Sequence, residues 1–321
     1  MVAQPEILLH INLADPSGWR SHRRLDFFAR LADFCDAHGI RYEVCTREAG
    51  LTRRQQAAPD GRLHIVEDGR VSGEGWLNAA VAYLLGFWHL DPEGILADSR
   101  ARDAVFHPRD VAQEEALATF QALRHRFVKR RLSRYNQPRD RVDAAPDGCI
   151  AVLLQGKTPY RMGQCDVPQH EIILAACRAA AGREVVVKRH PQSISEGAWT
   201  IAKAADAGAA FQLFEGNIHD LLAACSVTVS INSAAAMEGF LHRKPAILFG
   251  QSDFESLVTR VHQPADFPQA LHQALTTERR YAKMIHWYFT RHTLEVASPD
   301  FEARVLDAFA KVGFGRDRLG L

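Results

Sequence analysis

Three short stretches in the middle of the chain carry side chains suited to holding an anion. Lys188-Arg189-His190-Pro191 follows the apolar run Val185 to Val187, Ser230-Ile231-Asn232-Ser233 closes a run at 226–231, and Phe249-Gly250 closes one at 246–249. Lysine, arginine and histidine are cationic donors fit for a phosphate. Pro191 restricts the backbone of His190 to an extended form, which aims the imidazole away from the strand before it. A loop histidine after an ordinary strand is the plainer alternative. Asn232 and Ser233 stand directly before a helical stretch, Ala234 to Leu241. Their amide and hydroxyl, with the free N–H groups of a first helical turn, make an anion seat. They also make an ordinary N-cap, worth about 1 kcal/mol. Glu238 lies on the same small-residue helix, where a buried carboxylate is costly without a partner. A pair of ribose hydroxyls would serve, and so would Arg243 or Lys244.

A second polar group lies upstream, in the loop Gln155-Gly156-Lys157-Thr158-Pro159-Tyr160-Arg161-Met162-Gly163-Gln164-Cys165-Asp166. A helix opening at Val167-Pro168 puts Asp166 at an N-cap position. Its other reading is a carboxylate at the mouth of an interdomain cleft, serving as nucleophile or base. Gly156-Lys157-Thr158 is no P-loop, because the earlier glycine of that motif is missing. Metal chemistry is not indicated, since HExxH, a strand-end DxD and any His/Cys cluster are absent from the sequence. No cofactor is expected.

The elements that must position these groups alternate. β-Branched runs at 185–187, 226–231 and 246–249, with Cys149 to Leu154 before them, are separated by helix-length amphipathic segments. That alternation marks βαβ units on a parallel sheet, whose ligands bind at the carboxyl ends of the strands. The three polar strand ends should therefore meet one ligand, read here as a nucleotide. Earlier, Ile7 to Leu13, Ile40 to Cys45 and Leu63 to Val66 read as strands, with a helix over 19–38 stopped by Gly39. This suggests a first Rossmann-like half. The segment 72–100 has aromatics flanking His89 and Asp91, consistent with a sugar-facing wall or, equally, with a packed helix and a turn at Asp91-Pro92-Glu93-Gly94. Periodicity makes 108–136 one long helix with Pro108 near its start. Its basic half, 124–134, suits contact with anionic lipid or an acidic glycan, or a solvated bridge between domains. Residues 137–148 read as the interdomain linker, which divides the chain into domains 1–145 and 146–321. The tail, 266–290 and 300–312, is helical, and by analogy packs back on the first domain.

The totals narrow the classes. At 321 residues two domains are the natural expectation. Hydrophobic content of 47% with 24% charged residues describes a soluble globular chain. A net charge of +1 gives no global attraction to nucleic acid, and no nucleic-acid-binding motif is present. Six scattered cysteines read as buried thiols of a reducing compartment. Without a signal peptide or a bilayer-length apolar run, the expected location is the cytoplasm, with peripheral contact at the inner membrane through 124–134.

The order Lys-x-His-Pro after a strand, then Asn217-Ile-His-Asp-Leu-Leu-Ala-Ala-Cys-Ser-Val-Thr-Val-Ser230, then Ser233-x4-Glu238-Gly-Phe-Leu-x-x-Lys-Pro-x-x-x-Phe-Gly250, resembles the bacterial capsule polysaccharide biosynthesis proteins. These include β-Kdo transferases. The match is firm over roughly 150–253. The resemblance implies an α/β fold of GT-B form, with two Rossmann-like lobes, parallel sheets and a cleft between them. It also implies a metal-independent glycosyltransferase that moves Kdo or a related 2-keto acid sugar from a CMP-activated donor to a glycan or glycolipid acceptor. His190 would then contact the donor phosphate, Ser233 the phosphate or cytidine end, and Glu238 the nucleotide, with Gln155, Lys188 and Asn232 around them. Asp166 would be the catalytic carboxylate after the family's glutamine-containing loop, represented by Gln164 or Gln155. Departures are present: the spacing of glutamine and aspartate in that loop is unusual, and Ala236 stands where a glycine is common. A UDP- or GDP-sugar transferase or an epimerase would use the same strand-end features. A non-catalytic glycan-binding subunit of a capsule assembly complex would have no need to keep His190, Ser233 and Glu238 together.

Overall fold

The computed structural model describes residues 6–52, 55–56, 58–140 and 142–321. The chain forms β1 (Ile7–Ile11), α1 (Asp26–His38), β2 (Tyr42–Thr46), β3 (Leu63–Glu67), β4 (Trp76–Val81) and β5 (Phe87–Asp91). Next come α2 (Gln113–Leu123), β6 (Ile150–Leu153), α3 (Gln169–Arg178), β7 (Val185–Lys188), α4 (Ile194–Asp206) and β8 (Gln212–Leu213). They are followed by α5 (Ile218–Ala224), β9 (Val227–Ser230), α6 (Ala235–Leu241), β10 (Ala246–Leu248) and β11 (Thr259–Arg260). Then come α7 (Phe267–Thr276), α8 (Tyr281–Arg291), β12 (Leu294–Glu295) and α9 (Phe301–Ala310), before a final helical turn at Arg316–Leu319.

Two compact units result, one of residues 1–104 with 288–321 and one of residues 105–287. The division differs from the boundary expected at 145/146. The proline-bearing stretch 137–148 is sewn into the second unit rather than left as a linker. Asn217 Nδ2 donates to the Pro138 carbonyl at 2.7 Å, and the Ile218 N–H donates to Gln137 Oε1 at 2.9 Å.

The first unit holds a six-stranded sheet in the order β12-β5-β4-β3-β1-β2. Strands β2, β1, β3 and β4 are parallel, while β5 runs antiparallel to both β4 and β12. α1 ends where Gly39 takes the left-handed φ of 69°, as its position in the sequence suggests. Phe27, Phe28, Trp88 and Phe301 interlock at ring-centroid separations of 5.3–5.9 Å. The Trp88 indole N–H reaches Asp26 Oδ1 at 2.8 Å, so the ring is buried without an orphaned donor. The segment 72–100 is neither a packed helix nor an open aromatic wall. It is the β4–β5 hairpin: Trp76 stacks on His64 at 4.0 Å, and Phe87, Trp88 and His89 are buried. The turn expected at Asp91 is present, because its Oδ1 accepts from the N–H groups of Glu93 and Gly94.

The second unit has a fully parallel sheet in the order β8-β7-β6-β9-β10-β11. Counted within the unit this is 3-2-1-4-5-6, the doubly wound order. Both faces are covered, so the strands are apolar on both sides. Ile150 and Val152 pack with Val185, Val187 and Phe267 on one face, while Ala151, Leu153 and Val186 pack with Leu221 and Leu222 on the other. The order of the strands reverses between β6 and β9. Their carboxyl ends, after Leu153 and Ser230, are paired in register there.

The long helix expected over 108–136 is shorter. Pro108–Asp110 forms a separate turn, α2 begins at Gln113, and a π-turn at 124–129 ends the helix. The basic segment lies inside the second unit and does not bridge two domains. Arg124 donates to the Leu241 carbonyl at 2.5 Å, and Arg131 forms a two-pronged pair with Asp220 at 2.5 and 2.9 Å. Among the described residues no helix is long and apolar enough to cross a membrane.

Candidate functional site

The point where the strand order reverses is held by a lattice of amides. The Asn232 N–H donates to Gln155 Oε1 at 2.8 Å, and Gln155 Nε2 returns a bond to Asn232 Oδ1 at 3.0 Å. Asn232 Nδ2 bonds Gln164 Oε1 at 3.1 Å and the Gln251 carbonyl at 2.8 Å. Buried Gln169, on α3, grips the backbone of Gln155 from both sides, at 2.6 and 2.8 Å. Amides suit this task because each carries both donor and acceptor, so one side chain can lock two loops. The loop after β10 closes the lattice at Gly250. A Cβ there would lie 2.4 Å from Ile231 Cγ2, so only glycine allows so close an approach. Gln155, Asn232 and Gln164 are thus brought together, as braces for the loops at the strand ends.

The basic triplet after β7 behaves otherwise than expected. Lys188 continues the face of Val186, with its Nζ over the Phe214 ring and 2.5 Å from the Gly216 carbonyl. Burial lowers its pKa, which the nearby carboxylates of Glu215, Asp143 and Asp220 oppose. Arg189 is paired with Glu215 at 2.7 Å. Neither joins His190 as a cationic donor. The half-buried imidazole accepts from the Gln192 N–H through Nδ1 at 3.2 Å, which leaves the proton of the neutral ring on Nε2. Burial, and then the charge of Arg134, depress its pKa, so at neutral pH His190 offers an uncharged N–H. The loops after β6 and β7 adjoin, because a Cβ on Gly156 would meet Ser193 Oγ at 2.6 Å.

Ser233 stands one residue before the N-cap, which is Ala234: its Oγ accepts from the Ala235 N–H at 3.2 Å, and its own N–H donates to Ser230 Oγ. Glu238, only 3% exposed, faces neither Arg243 nor Lys244. Arg243 lies instead over the Phe120 ring at 5.7 Å. The Glu238 carboxyl is approached by the Ser133 hydroxyl, the Arg134 N–H and, at longer range, the Arg134 charge. Burial outweighs these and pushes its pKa up to about 7. Its Oε1 is buried with no hydrogen-bond partner among the described residues.

Residues 131–135, which follow the π-turn, are the part that sequence reasoning missed. Arg131 anchors this strap to Asp220, whose second oxygen also accepts from the Asp143 N–H at 3.0 Å. Burial raises the Asp220 pKa, and these hydrogen bonds lower it by more. His219 Nε2 donates to the Leu132 carbonyl at 2.9 Å, leaving Nδ1 to accept from His242. The strap then supplies Ser133 and Arg134 to Glu238 and sets the Tyr135 ring edge-on to His190, at 4.8 Å between centroids. The only signal in the sequence was the basic pattern itself, which points as readily to solvent.

Asp166 is exposed and is not a helix cap. α3 starts at Gln169 with Pro168 as its N-cap, two residues past the position expected. The carboxylate has no hydrogen bond or ion pair among the described residues, and it stands two residues beyond Gln164 on the loop that the amide lattice holds. Among the described residues no three His, Cys, Asp or Glu side chains are grouped to hold a metal ion.

Residues 159–292 match the family of capsule polysaccharide biosynthesis proteins. No curated protein matches the chain in sequence. Solved structures that share its fold include two glycosyltransferase domains. The β-Kdo 2,4 transferase of KpsC from Thermosulfurimonas dismutans is 16% identical, with a TM-score of 0.55 over 91% of this chain and 92% of that one. The β-Kdo 2,7 transferase of the same KpsC is 13% identical, with a TM-score of 0.52 over 96% and 99%. The resemblance to the capsule family holds, and the two Rossmann-like units are of the GT-B kind.

Proposed function

We propose that this chain is a glycosyltransferase of capsule biosynthesis that moves Kdo, or a related 2-keto acid sugar, from a CMP-activated donor to a glycan or glycolipid acceptor. The observation that carries the reading is Glu238. It is a buried carboxyl with one oxygen unpartnered among the described residues, on the helix after β9 at the reversal point of a doubly wound sheet, and it is met by the same strap whose Tyr135 ring lies against His190. Evolution seldom leaves such an oxygen unsatisfied without a ligand to meet it, and ribose hydroxyls are donors of the right kind. The family match over 159–292 and the fold shared with two β-Kdo transferases support the donor class.

In this reading the donor nucleotide lies across the ends of β6, β7 and β9. Glu238 accepts hydrogen bonds from the ribose. His190 donates its Nε2–H to the phosphate, where negative charge grows as CMP leaves, and a fixed neutral donor is of most use at such a point. The amide lattice of Gln155, Asn232 and Gln164 keeps the loops from rearranging as charge develops. Asp166, exposed on the braced loop, supplies the carboxylate that stabilises or traps the oxocarbenium-like anomeric carbon.

The test is a thermal-shift titration with CMP, UMP, UDP and GDP on the wild type and on His190→Ala. A ligand that binds only the folded chain must raise its melting temperature. CMP should stabilise the wild type most, and the variant should lose most of that response. A stronger response to UDP or GDP would transfer the chain to another donor class. No response to any nucleotide would refute the donor site.

A further inference from the structure

Arg134 is held in place by everything around it except its own side chain. On either side, Arg131 is bound to Asp220, the Leu132 carbonyl to His219, the Ser133 hydroxyl to Glu238, and the Tyr135 ring lies against His190. The N–H of Arg134 itself turns to Glu238. The half-buried guanidinium makes no hydrogen bond or salt bridge among the described residues. Its charge nevertheless bears on both His190 and Glu238, so it stands near both. The two cations that the sequence placed beside His190 are committed elsewhere, Lys188 to the Gly216 carbonyl and Arg189 to Glu215. A guanidinium with no hydrogen bond or salt bridge among the described residues keeps all its donors for an anion, and its planar fork matches the oxygens of a phosphate.

We propose that Arg134 is the phosphate anchor of the donor site, its fork engaging the nucleotide phosphate beside His190 while Glu238 holds the ribose. This rests on reading the site as a nucleotide-sugar donor site, and adds to it the cation that the strand ends fail to supply. The strap therefore serves recognition, and its basic character is addressed to the donor and not to a lipid surface.

The experiment is calorimetric titration of CMP and of cytidine into wild type, Arg134→Ala and Arg134→Lys. Loss of a charge-assisted bond should weaken CMP about 10- to 100-fold in Arg134→Ala. Cytidine, which lacks the phosphate, should change by no more than about twofold, since the contact removed is ionic. Arg134→Lys should recover part of the loss, as a point charge without the fork. The unliganded variants should melt as the wild type does, because the side chain makes no hydrogen bond or salt bridge among the described residues. By NMR the His190 titration should move upward in Arg134→Ala, since the opposing cation is gone. Equal CMP binding by wild type and Arg134→Ala would overturn the anchor while leaving the donor site standing. An equal loss of cytidine would also overturn it, by showing a structural role. A wild type that binds no nucleotide would overturn both.

Discussion

Replacing Glu238 by glutamine tests whether the buried carboxyl is held protonated by its surroundings. In the unfolded chain its pKa is the ordinary 4.5, and in the folded protein burial raises it to about 7. The folded state therefore binds the proton more tightly, and the stability this confers is complete below 4.5 and lost as the pH rises through 7. Each pH unit between the two values is worth about 1.4 kcal/mol, which gives a total near 3 kcal/mol. For a unit of about 180 residues that corresponds to roughly 6–12 °C in melting temperature. Glutamine does not titrate. Its carbonyl can still accept from Ser133 and Arg134, although an amide N–H₂ in place of Oε1 carries its own penalty at every pH. The informative quantity is thus the change between pH 5 and pH 8, measured by urea unfolding for both proteins. Wild type should lose about 2.5 kcal/mol more than Glu238→Gln over that span. Other titrating groups are common to both chains and cancel. Parallel profiles would refute the reasoning, since they would mean that Glu238 is hydrated or ionised in the folded protein. If ribose hydroxyls meet Oε1, CMP binding should also expel a proton near pH 6.5, which titrations in buffers of different ionisation heat would register.

Two further outcomes follow from the geometry. Asp220→Asn removes the counterion of Arg131, whose side chain is 18% exposed against 7% for the aspartate, and should cost about 3 kcal/mol in urea unfolding. Because the Asp220 pKa is lowered, its stabilisation is present above the ordinary carboxylate range and is lost as the pH falls through it, so the variant should differ least from wild type in acid. A wild-type denaturation midpoint in this variant at neutral pH would show that the strap is not pinned there. Gly250→Ala forces a Cβ to within 2.4 Å of Ile231 Cγ2 and 3.2 Å of two carbonyl oxygens. It should destabilise by about 1–3 kcal/mol, and an unchanged unfolding midpoint would mean that the crossing relaxes freely.

Much of the second unit was legible because a buried parallel strand has little freedom in composition. Val185 to Val187, 226–231 and 246–249 could only be strands, and the observed β7, β9 and β10 fall on them. The cost of burying Glu238 was legible too, from its place on a helix of small residues. Its neighbours were not, since Ser133 and Arg134 lie more than a hundred residues earlier and no local pattern links them. Periodicity carried the helix past Leu123 because Phe127 and Leu132 continue its apolar stripe. The chain leaves that path where Arg131 adopts a left-handed φ of 53° and the pull of Asp220 and His219 takes over. The fate of Lys188 was hidden for a related reason. Strand alternation puts it on the face of Val186, and only the tertiary fold brings Phe214 and the Gly216 carbonyl beneath it. The hairpin at 76–91 escaped notice because Tyr83, at φ 66°, takes a turn conformation usually left to glycine or asparagine.

The first unit is assembled from two pieces of chain separated by the whole of the second. During synthesis residues 1–104 leave the ribosome long before Leu294–Glu295 and Phe301–Ala310. Until those arrive, β5 has a bare edge, and Phe27, Phe28 and Trp88 lack the ring of Phe301 that completes their cluster. An unpaired strand edge beside exposed aromatics is an adhesive surface. The second unit, contiguous in sequence, carries no such debt and can close its sheet as soon as β11 emerges. The order of maturation is therefore the reverse of the order of translation: the portion made first is finished last.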